Sequence, residues 1–250
     1  MGRDNQPKDR QRARIERRLG TRQPGKRLLV VCEGEKTEPC YLREIRETMR
    51  IPAANLFVTH EGVTEPKQIV DAAWDIFLSG KGKFRPRGAD VVVAIFDRDI
   101  HRTYHEALDF ASTLDAKQPK NDDKQPVRFL AVPSNSCFEL WPLLHFKDQQ
   151  TPIHRDDAFD QVRGFVPGYD KGMTGLFAQT KAHLPLAMER AYRLAERFDP
   201  RTNGPWTGMH VLIHLLLDEG LKLPRYPEPM VGDAGRISEV VKRLELGRRV

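Results

Sequence analysis

The stretch DVVVAIFDRD at residues 90–99 decides the fold class. Its uninterrupted apolar run, rich in β-branched residues, is typical of a strand that is buried on both faces of a parallel sheet. The run stops at Asp97-Arg98-Asp99, so two carboxylates directly follow the strand. This stretch therefore predicts an α/β fold with acidic residues at one edge of its sheet.

Three more apolar runs, before and after this stretch, also predict strands, at residues 26–32, 55–59 and 127–132. Segments with helical spacing of apolar residues separate them, the first beginning at Thr37, which we interpret as an N-cap because Pro39 follows closely. Four strand–helix alternations predict an α/β domain over residues 27–146, with a parallel four-stranded sheet flanked by helices. Ligands of such sheets bind at the carboxyl ends of the strands.

The two ends of the chain differ from this central domain. Residues 1–26 are basic and nearly free of apolar side chains, which predicts a disordered arm. Five of its arginines are candidates for holding nucleic-acid phosphates: Arg10, Arg12, Arg14, Arg17 and Arg18. Residues 147–250 predict a helical C-terminal extension, with helices at 172–198, 207–218 and 234–246 and no strand.

Composition narrows the class of protein. The 250 residues are 39% hydrophobic and 30% charged, with no apolar run long enough for a membrane helix and no secretory signal, so we expect a cytoplasmic protein. The three cysteines have neither zinc-ligand nor disulfide-framework spacing and are predicted to be buried thiols. The net charge of +6 favours an anionic partner, of which nucleic acid is the commonest.

The acidic residues after the strands predict a metal site. In extended backbone Asp97 and Asp99 would point to the same side, so both could bind one cation if Arg98 turned away. Glu33 follows the first strand and would face the same site, as a metal ligand or general base, if the two strands are neighbours. Oxygen ligands without histidine or cysteine favour Mg²⁺ or Mn²⁺ over zinc.

Four motifs in order resemble the RloB family of bacterial defence-associated proteins over roughly residues 26–218. They are VVCEGEKTEPCY at 30–41, FDRD at 96–99, SNSCFELW at 134–141 and PGYDK at 167–171. The first strand with Glu33-Gly34 and the later strand with Asp97-Arg98-Asp99 also resemble the Toprim domain of topoisomerases, primases and OLD-family nucleases. The resemblance implies a Toprim nuclease fold and a role in anti-phage defence or abortive infection.

The resemblance also implies roles for particular residues. Glu33 would be the general acid/base or a metal ligand, and Asp97 and Asp99 would hold the metal. Glu38 and Glu139 are the candidates for further acidic ligands, although the spacing from Glu33 to Glu38 is one residue longer than in the commoner Toprim pattern and Glu139 has a rival role in helix packing. A companion ATPase or a restriction-modification protein is an expected partner.

Basic residues near these motifs are candidates for contacting phosphate. Lys171 could stabilise transition-state charge, and Lys36 and Arg98 could contact nucleic acid. His145, His210 and His214 lie on apolar helical faces and are predicted to be hydrogen-bonded core residues rather than metal ligands.

The sequence leaves three functions open. The first is metal-dependent cleavage of DNA or RNA. The second is a nucleic-acid-binding or sensor module without catalysis, and the third is nucleotidyl transfer, although no G-x-x-x-x-G-K-[ST] loop is present to hold a triphosphate. DNA versus RNA and the oligomeric state leave no signature in the sequence.

Overall fold

A five-stranded mixed sheet forms the centre of the protein in the computed structural model, which describes residues 25–99 and 101–217. The strands are β1 (Leu28–Cys32), β2 (Leu56–His60), β3 (Val91–Asp97), β4 (Arg128–Asn135) and β5 (Trp206–Thr207). Their order is β2-β1-β3-β4-β5. The first four strands run parallel, as predicted, and β5 pairs antiparallel with β4.

The helices connect and flank these strands. They are α1 (Thr37–Thr48), α2 (Pro66–Ser79), α3 (Tyr104–Ala116), α4 (Leu140–Leu144), α5 (Arg155–Phe165), α6 (Leu176–Thr180), α7 (Leu184–Arg197) and α8 (Met209–Leu217). A short 3₁₀ turn at Lys181–His183 joins α6 to α7. Among the described residues, no helix is both long and apolar enough to cross a bilayer.

Each face of the sheet is covered by its own set of helices. On β3, Val93 and Ile95 belong to a core shared with α1 and the C-terminal helices, whereas Val92 and Phe96 belong to a core shared with α2 and α3. This alternation explains the continuous apolar run of β3, because successive side chains enter opposite cores. The mostly parallel α/β arrangement is compatible with a Toprim-like fold.

The four predicted parallel strands are present, but the expectation of no strand beyond residue 146 was wrong, because the sheet has a fifth strand there. The missed strand, β5, has only two residues, so it carries no periodicity that a sequence pattern could reveal. It is fixed by tertiary pairing, since Thr207 lies opposite Ser134 and their hydroxyl oxygens are 3.0 Å apart. Tertiary context therefore decides the conformation of this segment.

Two local predictions also differ from the structure. Thr37 is the first residue of α1 rather than its N-cap, and its hydroxyl accepts a hydrogen bond from the Gly172 backbone N–H at 3.0 Å. The single helix predicted over 172–198 begins at Leu176 and is divided by the 3₁₀ turn. The predicted arm, apart from Gly25 and Lys26, and the predicted helix at 234–246 lie outside the described residues.

Candidate functional site

Glu33 and Asp97 lie side by side at the carboxyl ends of β1 and β3. These strands pair directly, with Cys32 opposite Ile95, so the residues that follow them emerge at the same edge. The Asp97 backbone N–H donates a hydrogen bond of 2.8 Å to Glu33 Oε2. The structure thus brings together the two predicted site residues on which the sequence interpretation most depended.

Glu38 joins them from the first turn of α1, although its side chain is only 5% exposed. The backbone N–H groups of Glu38 and Gly34 are close enough to its carboxylate to lower its pKa, in opposition to burial. A side chain on residue 34 would overlap the Glu38 carboxylate, so the absence of a Cβ on Gly34 permits this close approach. The Glu33-Gly34 pair therefore supplies one acidic group and makes room for another.

Glu139 completes the acidic group from the segment that follows β4. It is 5% exposed, and its Oε1 accepts a hydrogen bond of 3.1 Å from the Tyr169 hydroxyl. The Phe138 backbone N–H is close enough to the Asp97 carboxylate to lower its pKa, which places this segment next to the end of β3. The SNSCFELW and PGYDK motifs therefore meet at the carboxylates.

These four carboxylates line a cavity of about 380 Å³. Three basic side chains also line it, namely Lys36, Arg155 and Lys171. The remaining lining residues are Gly34, Glu35, Thr37, Thr64 and Phe138. The volume falls within the range of ordinary small-ligand pockets. Acidic and basic groups in one cavity suit a ligand that combines a cation with an anion.

The electrostatics show that the carboxylates repel one another. Burial raises the pKa of Asp97 well above its ordinary value, and the charges of Glu38, Glu33 and Glu139 raise it further. Burial, followed by the charges of Glu139 and Glu33, raises the pKa of Glu38 to about 7. Burial also raises the pKa of Glu33. Groups with this arrangement either retain protons or bind a cation.

The positions of the donors do not by themselves make a metal site. Within residues 25–99 and 101–217, no group of three or more His, Cys, Asp or Glu side chains is placed so that it could hold a metal ion. The four carboxylates nevertheless fit a hard divalent cation chemically, because they are oxygen donors whose mutual repulsion a cation would remove.

Asp99 is placed differently from the other predicted ligands. It does not line the cavity, and its Oδ2 forms an ion pair with Arg155 Nη1. The strand ends at Asp97, and Asp99 has a φ of +33°, so the alternation of an extended strand does not continue to it. Its predicted position beside Asp97 assumed extended backbone that the chain does not keep.

Arg98 turns away from the cavity, as the prediction required. Its guanidinium donates to the Thr202 carbonyl and, at 2.7 Å, to Asn203 Oδ1. It also lies over the Tyr104 ring, 5.3 Å from the centroid. Arg98 thereby connects the end of β3 to the segment before β5, a use of the side chain that differs from the predicted contact with nucleic acid.

Lys171 reaches the cavity because the loop that carries it is attached to α1. The Gly172 N–H bonds to Thr37 as described above, and the Gly175 and Phe177 N–H groups donate to the Glu44 carboxylate. Lys36 precedes α1 and lies against Gly172, so the two predicted lysines border the same opening. Arg10, Arg12, Arg14, Arg17 and Arg18 lie outside the described residues.

Two further site residues escaped the sequence analysis. His101 lies 3.6 Å from Glu33 Oε1 through Nε2, and 3.3 Å from Glu65 Oε1 through Nδ1. Its position two residues after Asp99 was a signal that could have been used. Arg155 is 56 residues from its partner Asp99 and follows no recognised motif, so only the fold reveals it.

The predicted core histidines are confirmed. His145 is fully buried, with Nδ1 3.0 Å from the Trp141 carbonyl, and His210 is 1% exposed, with Nδ1 2.7 Å from the Thr207 carbonyl. His214 is 3.1 Å from the Tyr192 hydroxyl. Of the cysteines, Cys32 and Cys137 are buried as predicted, whereas Cys40 is half-buried.

Comparison with known proteins identifies the family. Neither the curated proteins nor the solved structures contain a significant match to this chain. A family model described as "RloB-like protein" matches residues 28–216, a range that includes every residue that lines the cavity. The chain therefore belongs to the RloB-like protein family.

Proposed function

We propose that this protein is a divalent-metal-dependent nuclease that hydrolyses phosphodiester bonds in DNA or RNA. The observation that carries the proposal is the cavity that Glu33, Glu38, Asp97 and Glu139 line together with basic side chains. Hydrolysis of a phosphodiester needs positive charge near the phosphate oxygens and a polarised water molecule. A cation held by carboxylates next to lysines would supply both.

The proposed cation is Mg²⁺ or Mn²⁺, and its proposed ligands are the four carboxylates of the cavity. The raised pKa values of Asp97 and Glu38 support this assignment, because a bound cation would replace the protons that these groups otherwise retain. When bound, the ion would offset negative charge on the phosphate oxygens and polarise water. Asp99 is left out of the ligand set because Arg155 already neutralises it.

The remaining chemistry is assigned to side chains of the chain itself. Glu33 is held by the Asp97 N–H through one oxygen and faces His101 with the other, so it can orient a water and accept its proton. Lys171 and Lys36 border the cavity and can hold the phosphate. Lys171 would also offset charge as the bond breaks.

Nucleic acid is the proposed substrate because the chain is basic overall. The net charge is +6, and the predicted arm at residues 1–26 adds arginines that can contact the phosphate backbone. Membership of the RloB-like family, together with the resemblance of its motifs to defence-associated proteins, supports a role in anti-phage defence or abortive infection. A companion ATPase or restriction-modification protein fits that role.

A cleavage assay on the full chain tests the proposal. Labelled single- and double-stranded DNA and RNA are incubated with Mg²⁺ or Mn²⁺, and with a chelator as the control. We expect cleavage that requires the metal and that is lost in Asp97→Asn and in Glu139→Gln. Binding without cleavage in every metal would instead support a non-catalytic module, and a requirement for nucleoside triphosphate would support nucleotidyl transfer.

A further inference from the structure

We propose that Arg155 binds a phosphate group of the nucleic-acid strand and that Asp99 is the positioning residue that holds its guanidinium at the cavity. The inference rests on the proposed function and deepens it, because it gives the strand a contact beyond Lys36 and Lys171. It also gives Asp99, which does not line the cavity, a part in binding the substrate.

The guanidinium of Arg155 has unused hydrogen-bond donors at the cavity. The side chain lines the cavity and is 42% exposed. Its one hydrogen bond within the described part of the chain runs from Nη1 to Asp99 Oδ2. Arg98, by contrast, uses both terminal nitrogens, on Thr202 and Asn203. A guanidinium carries five N–H donors, so most of those of Arg155 are not used by the described residues.

Ser136, just after β4, holds both partners of this ion pair in place. Its carbonyl accepts a hydrogen bond of 3.2 Å from the Asp99 backbone N–H. Its hydroxyl donates a hydrogen bond of 2.8 Å to the Ile153 carbonyl, two residues before Arg155. Arg155 is the first residue of α5, and Ala158, one turn further on, is fully buried. The guanidinium therefore projects from a packed helix towards an acid that is tied to the same residue.

The charge of Arg155 suits a phosphate better than it suits the acids of the cavity. Burial lowers the pKa of Arg155, but the charges of Asp99 and Asp97 outweigh burial and raise it, so the side chain stays charged. A guanidinium can donate two parallel hydrogen bonds to a phosphate, which a lysine ammonium cannot do. Arg155 is thus a permanent positive charge in a cavity whose carboxylates would otherwise repel the strand.

Binding of fluorescently labelled single-stranded DNA and RNA oligonucleotides to the full chain, in a chelator, tests the proposal without cleavage. Arg155→Gln should weaken binding about tenfold and lower the slope of log affinity against log salt by about 0.7, because one phosphate contact is lost. Arg155→Lys should keep the slope and weaken binding about threefold, since it keeps the charge but not the paired donors. Arg163→Gln, an exposed arginine on the same helix that does not line the cavity, is the control and should bind as the wild type does.

The same titration tests the role of Asp99 through a double-variant cycle. Asp99→Gly removes the carboxylate and suits the backbone, because glycine adopts a φ of +33° without strain. Removing an acid near a phosphate would by itself strengthen binding, whereas losing a positioning residue weakens it. We expect Asp99→Gly to weaken binding about threefold in the wild-type chain and not to weaken it in Arg155→Gln, because Asp99 acts through Arg155.

Each outcome bears on this inference separately from the proposed function. Wild-type affinity and slope in Arg155→Gln would overturn it, as would a wild-type chain that binds neither oligonucleotide. Tighter binding by Asp99→Gly, or equal weakening in both backgrounds, would overturn the role of Asp99. If Arg155→Gln does not fold by circular dichroism, Arg155→Lys decides, and wild-type affinity there would overturn the inference. Weakened binding in Arg155→Gln without cleavage in any metal would refute the nuclease and leave the phosphate contact standing.

Discussion

Acidic residues gather at both ends of the sheet, but they form direct ion pairs with an arginine at the amino ends and mainly meet one another at the carboxyl ends. At the amino ends of the strands, Arg27 forms ion pairs with Asp90 at 3.0 Å, Asp122 at 2.8 Å and Asp123 at 2.8 Å. At the carboxyl ends, the acids of the cavity meet each other. Among the ion pairs of the described residues, none joins a lysine or arginine to Glu38, Asp97 or Glu139.

The pKa values of the acids shift in opposite directions at the two ends of the sheet. Burial raises the pKa of Asp90, but its hydrogen bonds and charge interaction with Arg27 outweigh burial and lower it. The pKa of Glu38 rises to about 7. Acids that form ion pairs within the chain stabilise the fold. Buried acids without such a partner lower its stability until they bind a proton or a cation. This contrast supports the proposal that the carboxyl-end group, rather than the amino-end group, is the functional site.

The largest effect expected from this contrast is on cleavage. Asp97→Asn or Glu33→Gln should lower metal-dependent cleavage by about a hundredfold or more, because each removes charge from the cation site. Asp123→Asn is the matched control, since it removes an acid from the Arg27 group, and it should cleave at the wild-type rate. Wild-type rates in Asp97→Asn, measured on the same labelled substrate, would refute the assignment of the site.

The next largest effect is on the free energy of unfolding. Removing an acid should raise it at the carboxyl ends of the strands and lower it at the amino ends. At about pH 8 without metal, Glu38→Gln should raise the free energy of unfolding by roughly 3 kcal/mol, since a shift of the pKa from 4.5 to about 7 costs that much. Asp90→Asn should lower it by about 1–2 kcal/mol through weakened bonds to Arg27. Urea unfolding in a chelator measures both values.

The pH dependence of this difference has a definite sign. The folded chain keeps the Glu38 proton up to about pH 7, whereas the unfolded chain loses it near the ordinary value of 4.5. The folded state therefore binds more protons in this window, so its stability falls as the pH rises. The advantage of Glu38→Gln should grow between these two pH values and disappear when Mn²⁺ is added. An advantage that is constant with pH would contradict the origin in charge.

A smaller effect is expected from Gly34→Ala. The added Cβ would displace the Glu38 carboxylate, which is the free end of a flexible side chain, so the fold should survive while the acidic group is disturbed. Affinity for Mn²⁺ should fall about tenfold, as expected when the groups that position metal ligands are altered. Calorimetric titration measures the affinity, and Gly164→Ala, where the structure has open space around an ordinary backbone conformation, is the control for a glycine substitution away from the site.

The smallest effect on cleavage is expected from the lysines that border the cavity. Lys171→Gln should lower kcat/KM for cleavage by about fivefold, because it removes one charge interaction with a phosphate, and should leave Mn²⁺ affinity unchanged. Lys117→Gln, an exposed lysine that does not line the cavity, should have no effect on kcat/KM. A loss of Mn²⁺ affinity in Lys171→Gln would indicate that the lysine positions the acids instead.

The sequence predicted the parts of the fold that depend on local pattern. Four parallel strands and the meeting of Glu33 with Asp97 followed from apolar runs and from the geometry of parallel sheets. Strand β5 could not be predicted, because only its pairing with β4 defines it. The position of Asp99 was missed because its backbone leaves the extended region at a φ of +33°.

The candidate site, like the fold, could be predicted only where a sequence pattern marked its residues. Glu38 and Glu139 were candidates only through a resemblance of motifs, and the structure places both carboxylates in the cavity. Arg155 was beyond prediction, since its contact with Asp99 joins segments that are distant in the chain. Residues that neutralise a site from another element leave no pattern in the sequence around that site.

Anomalous scattering from Mn²⁺ soaked into a crystal of the protein would show whether the four carboxylates bind a cation. We expect a manganese peak in the cavity, in direct contact with Asp97 and with at least one of Glu33, Glu38 and Glu139. A cavity without manganese, or manganese bound instead at the acids around Arg27, would contradict this expectation.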